Sequence, residues 1–514
     1  MKHLPIGIQN FKNLRQLNNL YIDKTKYIYD LLPSKVLFLS RPRRFGKSLL
    51  LSTIKYIFLG EKELFKGLWI ENNYNWKNTN PIIHIDMKKL GYRDLGLHTS
   101  ILKELDKIAR ENNIELKERE SIARKFEELI ETMGKENPVV VLIDEYDKPI
   151  IDYLTDIKQA IENRETLKEF YGVLKGIDQY LRFLLITGVS KFSKTSIFSD
   201  LNHLDDISLS NRFPIVTGIT ENEIKENFKP YIEKAKQELN LNNQEFFDKL
   251  KLFYDGYSWN GKDFLYNPFS ILRFFNEFSF NNFWFETGTP SFIINWIKKN
   301  KIDVINFENI AVKDMFFNKF DIENLDIISL MFQTGYLTIK KYNPKRNQYI
   351  LSYPNEEVKE SFIYYLFEEY SNLKQSQTAD TIWQLEDALI DNNIALFIKV
   401  LTTVFTSIPY QIFIKEKESY YHSIIYIVMR LLGFNIKAEE SISKGRSDAI
   451  VFTDSHIYIF EFKMFPFTAK KAIEQIKTKG YDQPYLTDKR KKVLVGISFK
   501  AEEKNIFEYE VEEI

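Results

Sequence analysis

The sequence predicts a three-part α/β chain: an N-terminal parallel sheet, a helical middle domain with a winged-helix unit, and a C-terminal αβββαβ domain. Three observations predict it. First, the apolar run from Val36 to Leu39 breaks into the basic loop Ser40-Arg-Pro-Arg-Arg-Phe-Gly46-Lys47-Ser48 and resumes with helical spacing. Second, five consecutive apolar residues, Val139 to Ile143, run into Asp144 and Glu145, the pattern of a strand buried on both faces of a parallel sheet. Third, Glu461 and Lys463 continue the apolar stripe of Ile457 and Ile459 on one face of a C-terminal strand.

With 514 residues the chain is long enough for about three domains. Lys plus Arg and Asp plus Glu both number 71, so no global field draws the chain to nucleic acid and any basic surface has to be local. Zero cysteine excludes disulfides, thiolate zinc sites and thiol nucleophiles, and fits a reducing compartment. The stretch from Met1 to Phe11 lacks an apolar signal core, and no apolar run approaches the roughly 18 residues needed to span a bilayer. The expectation is a cytoplasmic protein with no membrane partner.

Gly46, Lys47 and Ser48 place backbone amides, an ammonium and a hydroxyl at a helix start, where the helix dipole already favours an anion. Lys47 would reach the terminal phosphates of a nucleotide and Ser48 a Mg²⁺. The pattern G-x-x-x-x-G-K-[ST] requires glycine where this chain has Arg41. Either the loop takes another path, or Arg41, with Arg43 and Arg44 beside it, takes over part of the phosphate cradling. A basic, ligand-free loop before a helix is the plainer alternative.

Leu49 to Leu59 reads as the helix after this loop, stopping at Gly60. Pro81 to Asp86 is a short strand, and Thr99 to Thr132 a long charged helical region. Ligands of open α/β sheets bind beyond the carboxyl ends of the strands, so Asp144 and Glu145 are expected to face the crevice of Lys47. Asp144 suits a Mg²⁺ shell and Glu145 the orientation of a water for γ-phosphate attack. An acidic turn after a core strand is the alternative. A further buried strand, Arg182 to Gly188, places Thr187 as a γ-phosphate sensor or as a simple β-branched terminus. Arg212 is the nearest charge-neutralising arginine. These elements define a first domain over residues 1–216.

From Thr217 the texture turns helical, and Thr220 with Glu223 forms a capping box for a run to about Leu239. A helix near 323–332 and strands at 336–342 and 348–353 suggest the winged-helix unit of a second domain, 217–375. The polar stretch Ser371 to Asp380 reads as the linker to a third, 376–514. There, helices around 383–405 and 417–432 precede three strands, a helix containing Gln475, and a last strand from Lys492.

A Glu and a Lys continuing a buried face need a partner or a task, because unpaired buried charge is costly. Asp448 opens a neighbouring strand 13 residues before Glu461. Two such carboxylates beside a lysine can hold Mg²⁺ or Mn²⁺ and polarise a phosphodiester. Lys470, Lys471, Lys477 and Lys479 on the next helix are either a nucleic-acid face or a solvated one.

Tyr21-Ile-Asp-Lys-Thr, Arg-Pro-Arg-Arg-Phe-Gly-Lys-Ser, Leu142-Ile-Asp-Glu-Tyr-Asp, Tyr266-Asn-Pro-Phe-Ser and Gly445-Arg-Ser-Asp with Glu461-Phe-Lys together resemble the bacterial AAA-ATPase-like proteins that carry a C-terminal PD-(D/E)xK nuclease domain. The resemblance spans nearly the whole chain, and the absent first glycine is typical of that family. It implies an AAA-like P-loop NTPase sheet and a restriction-endonuclease-like C-terminal domain, with ATP and Mg²⁺ as cofactors and nucleic acid, DNA before RNA, as partner. Asp448, Glu461 and Lys463 match the motif, Glu418 is a candidate extra acid, and Gln475 and Tyr481 resemble auxiliary residues of some such nucleases. The expectation is an ATP-binding protein fused to a metal-dependent nuclease. A nucleotide-dependent scaffold or DNA-binding switch with a vestigial nuclease fold is the alternative, as is a nuclease with a purely structural ATPase half. Homo-oligomerisation is left open.

Overall fold

The computed structural model describes the chain apart from residues 192–196, 199–200, 202, 288–292, 295, 298–306, 319–322, 324–325, 372, 374, 409–417, 433–434, 443–444 and 501; at 286–287, 318, 375, 418–423, 435–442 and 445–446 it describes the backbone alone. The chain divides into two compact units, one of Met1–Gly288 with Phe307–Val358 and one of the remainder.

The first unit is built on a parallel sheet of β1 (Val36–Ser40), β2 (Ile82–Asp86), β3 (Val139–Asp144), β4 (Leu181–Gly188) and the two-residue β5 (Asp205–Asp206). Its order is β2-β3-β4-β1-β5. Because β4 lies between β1 and β3, the loop after β1, the acids after β3 and Thr187 near the end of β4 come to the same sheet edge. The helix Lys47–Phe58 lays Leu50, Leu51, Ile54 and Ile57 on Leu37, Leu39, Val140, Leu142 and Leu185. The expected helical region 99–132 is two helices, Leu97–Glu111 and Ile122–Met133. Asn113 at φ 57° ends the first, and the Ser121 side chain caps the second by accepting from the Arg124 amide.

Thr220 and Glu223 form the capping box reciprocally at Glu221–Asn227. The run breaks at Lys229-Pro230, where proline starts a new helix, Lys229–Glu238, instead of continuing the old one. Helices Asn243–Tyr254 and Pro268–Glu277 close an aromatic core of Phe228, Phe246, Tyr254, Phe274 and Phe275. The helix Ile327–Thr334 stops at Gly335 (φ 95°) and leads into the hairpin of β7 (Thr338–Asn343) and β8 (Gln348–Ser352). β6 (Ile310–Lys313) adds a third antiparallel strand, giving the order β6-β8-β7. Residues expected to form separate domains before and after 216 thus share one unit. The reason is contact between the loop after β1 and the later segment: a Cβ at Gly335 would meet Pro42 Cβ at 2.7 Å, and Phe45 packs edge-on against Tyr257 at 4.8 Å between ring centres.

In the second unit the stretch expected as a linker is largely helical. The helix Gln375–Ile390 starts within it and buries Thr378 fully, so the exposed Ser376 and Gln377 are the solvent side of a packed helix rather than a tether. The turn at Asn392 (φ 52°) then separates it from Ile394–Ser407, two helices where one was expected. After Glu418–Leu431 come β9 (Asn435–Ile442), β10 (Gly445–Phe452), β11 (His456–Met464), the helix Ala469–Lys479, β12 (Lys491–Lys500) and β13 (Asn505–Glu513). The sheet order is β13-β12-β11-β10-β9, parallel only between β11 and β12. β13 extends the expected αβββαβ pattern. Ile473 and Ile476 of Ala469–Lys479 cover Ile450, Ile457, Ile459 and Leu494 on one face, while Phe397 and Phe405 of Ile394–Ser407 meet Phe460 and Phe499 on the other.

Candidate functional site

In the first unit, Gly46 adopts φ 85° and opens the helix Lys47–Phe58, a left-handed conformation that a side chain would strain. Arg44 is also left-handed at φ 68°, its guanidinium 4.7 Å from the Phe269 ring centre. A cleft of about 330 Å³ opens beside this turn, walled by Arg43, Arg44, Gly46, Lys47, Ser48 and Glu145, with Lys88 and Lys148 adding positive charge. A more apolar cavity of about 110 Å³ adjoins it, sharing Gly46 and Leu49 and lined by Tyr21, Ile22, Phe45 and Ile219.

Lys47 is buried and donates to the carbonyls of Arg41 (2.8 Å) and Pro42 (3.0 Å), so its ammonium is held inside the curl of the loop. Burial pulls it below its ordinary pKa, against the opposing influence of Asp144, Glu145 and Asp147. Asp144 is buried and accepts from the Thr187 hydroxyl at 2.8 Å, which joins the ends of β3 and β4. Glu145 turns into the cleft through φ 51°, and burial pushes its carboxyl up. Asp147, not singled out from the sequence, is buried and accepts the amides of Val189 (3.0 Å) and Ser190 (2.6 Å), fixing the acidic turn against the end of β4.

Two expected phosphate ligands are not brought to this cleft. Arg41 is 1% exposed, donates to the carbonyls of Ser40 (2.8 Å) and Ser208 (2.6 Å), and faces a separate cavity of about 20 Å³ with Trp259 and Gln333. Its side chain enters the core because the backbone at this position follows β1 straight on, the Arg41 amide donating to the Gly188 carbonyl at 3.1 Å. Arg212 is exposed and pairs with Asp205 at 2.7 Å, on the surface turn after β5.

In the second unit, β10 and β11 run antiparallel with Ala449 opposite Phe460, which sets Asp448 beside Glu461. Asp448 Oδ2 accepts from the Phe462 amide at 2.7 Å. Glu461 is 2% exposed; its Oε1 accepts from Lys463 Nζ at 2.7 Å and from Gln475 Nε2, whose amide also lies 3.4 Å from the Tyr481 hydroxyl. Glu461 Oε2 is buried with no hydrogen-bond partner. Burial, then the neighbouring Asp448 charge, push this carboxyl up to about 7, outweighing Lys463. An orphaned carboxylate oxygen next to a second carboxylate is the donor set of a divalent cation that keeps most of its waters. Among the described residues no third acid or histidine joins them. The Glu418 side chain lies outside the described residues.

The basic helix is partly neutralised, Lys471 pairing with Glu474 at 3.2 Å and Lys477 with Glu512 at 2.6 Å. For these two, the solvated-face reading is the better one.

A sheet with a lysine-bearing loop at its carboxyl edge, joined to a sheet presenting two carboxylates and a lysine, defines a nucleotide-loop α/β protein with a nuclease-type domain. Residues 5–198 match the family model described as "Predicted AAA-ATPase", and residues 416–509 match the PD-(D/E)XK nuclease superfamily. The chain is 36% identical over 531 aligned positions to the "Uncharacterized protein in vnfD 5'region" of Azotobacter chroococcum mcd 1, covering 100% of this chain and 99% of that one. It belongs to the AAA-ATPase-like family whose members carry a C-terminal PD-(D/E)XK nuclease domain.

Proposed function

We propose that the protein is a metal-dependent nuclease acting on DNA, joined to a domain that binds ATP with Mg²⁺. The observation that carries the nuclease reading is the convergence on Glu461: Asp448, Lys463 and Gln475 meet a carboxylate whose second oxygen has no partner. Asp448 and Glu461 would hold Mg²⁺ or Mn²⁺, which when bound supplies Lewis-acid polarisation of the phosphodiester and of its attacking water. Lys463 stabilises charge developing on the phosphate, and Gln475 orients Glu461. The test is cleavage of linear, supercoiled and single-stranded DNA and of RNA with Mg²⁺ or Mn²⁺, with and without ATP. Metal-dependent cleavage lost in Asp448→Ala supports the reading, and equal residual cleavage by wild type and variant sinks it.

In the N-terminal half, phosphates would replace the loop carbonyls as partners of Lys47, Ser48 and Asp144 would hold Mg²⁺, and Glu145 would orient a water. The adjoining apolar cavity suits a base. One observation favours a slow switch over a fast motor: Lys47 has to leave two loop carbonyls before it reaches a nucleotide.

A further inference from the structure

The strand that carries Glu461 and Lys463 runs directly into the turn Met464-Phe465-Pro466-Phe467-Thr468, which exposes two phenyl rings, Phe465 at 51% and Phe467 at 60%. The turn is tied down at each step. The Phe465 amide donates to the Phe499 carbonyl at 2.8 Å, the Phe467 amide to Met464 at 3.0 Å, and the buried Ser498 hydroxyl to the Phe467 carbonyl at 2.7 Å. Thr468 then caps the helix Ala469–Lys479 by accepting from the Lys471 amide. The rings are therefore held out in water by an ordered backbone, at the end of the strand where the apolar stripe has already given way to charge.

Cations lie beside them among acids: Lys500 pairs with Glu503, and the Ala469 amide next to the turn donates to Glu508 at 2.7 Å. Lys500 Nζ lies 5.6 Å from the Phe465 ring centre and 5.1 Å from that of Phe507, which packs edge-on against Phe465. Lys470, exposed in the first turn of the next helix, flanks Phe467. At about 3.3 Å per residue, Phe465 lies about 7 Å along the chain from Lys463 and about 13 Å from Glu461, roughly two to four nucleotides at about 3.4 Å each from a phosphate held there. Rigid aromatic faces with interleaved cations are the chemistry of single-strand recognition, since any base offers a π-face once it is unstacked. An intact duplex keeps its bases stacked and gives a free phenyl face nothing to lie on.

We propose that Phe465 and Phe467 are a base-stacking platform beside the carboxylate pair, and that the nuclease domain takes DNA whose bases are unpaired at the cut. The proposal rests on the nuclease reading above and deepens it to a substrate class.

The experiment uses the full chain in Ca²⁺, with a fluorescein-labelled 20-mer single strand, its blunt duplex, and a single strand carrying 2-aminopurine. Wild type is expected to bind the single strand at least tenfold tighter than the duplex and to change the 2-aminopurine emission. The double variant F465A/F467A should lose about tenfold or more on the single strand, and F465W/F467W should keep affinity within about twofold. The Mg²⁺ cleavage KM should rise in the alanine variant with kcat little changed. Single-strand affinity unchanged in the alanine variant, or a wild-type preference for duplex, overturns the platform while leaving the nuclease intact. No binding or cleavage of any DNA or RNA by wild type overturns both.

Discussion

The guanidinium of Arg41 lies 3.9 Å from the centre of the Trp259 ring, which places a cation from the end of the first strand over an aromatic 218 residues later. Two of its nitrogens, Nε and Nη2, are buried without a hydrogen-bond partner, so the ring face is one of its main compensations. Arg41 therefore stands in the first-glycine position of the loop as a structural anchor. Arg41→Gly is expected to destabilise the first unit by roughly 2 kcal/mol or more through lost packing and orphaned carbonyls, while changing nucleotide affinity of the folded protein less than about threefold. Urea unfolding followed by Trp emission and nucleotide titration separate the two effects. A large affinity loss at unchanged stability would return Arg41 to the phosphate site.

Lys47→Ala should abolish the thermal shift given by ATP with Mg²⁺, since its ammonium is held inside the loop's curl beside the cleft. Glu145→Gln should retain the shift and lose at least about tenfold in any ATP turnover, the proposed role of Glu145 being to orient water rather than to bind. Absence of an ATP-dependent shift in wild type at millimolar nucleotide would refute binding at this loop.

Asp448→Ala and Lys463→Ala should each reduce cleavage by about 100-fold or more at saturating Mg²⁺. Gln475→Ala should cost less, and part of its loss should be recovered at higher metal, because Gln475 contacts the carboxylate rather than the substrate. Removal of metal with EDTA should stop cleavage and leave secondary structure in place.

The Glu461 carboxyl, pushed up to about 7 from an ordinary 4.5, makes metal-free protein sensitive to pH. The folded state prefers this group protonated. Its contribution is full below about 4.5 and is lost as pH rises through about 7, at a limiting slope of about 1.4 kcal/mol per pH unit. In EDTA, thermal midpoints of wild type should therefore fall between these pH values relative to Glu461→Gln, and Mg²⁺ should cancel the difference. Parallel midpoint curves for wild type and variant would show that the carboxyl titrates normally.

Much of both candidate sites was legible in one dimension because their residues sit where regular structure ends. Five apolar residues before Asp144 announce a covered strand, and a period of two places Glu461 and Lys463 on one face without reference to any other part of the chain. The alternation of Phe507, Tyr509 and Val511 with Glu508, Glu510 and Glu512 made β13 readable, yet it was not among the expected strands. Its charges look like a solvated tail until β12 is there to pair with it. The helix over the expected linker was less so. A polar surface helix and a polar tether differ only in what lies beneath them, here the buried Thr378, Leu385 and Leu389.

Sequence alone determined the residue types at the two sites and their local geometry, because a glycine at a helix start and alternation along a strand depend on neighbours a few residues away. Tertiary structure decided which charged groups meet. Arg41 and Arg212 were candidates for the phosphate site alongside Lys47, yet one is drawn under Trp259, 218 residues later, and the other pairs with Asp205 at the surface. Gln475 reaches Glu461 only because the helix Ala469–Lys479 packs on the face of β11 that carries the acid. Burial and electrostatic pairing depend on distances across the fold, and those are set by packing rather than by spacing along the chain.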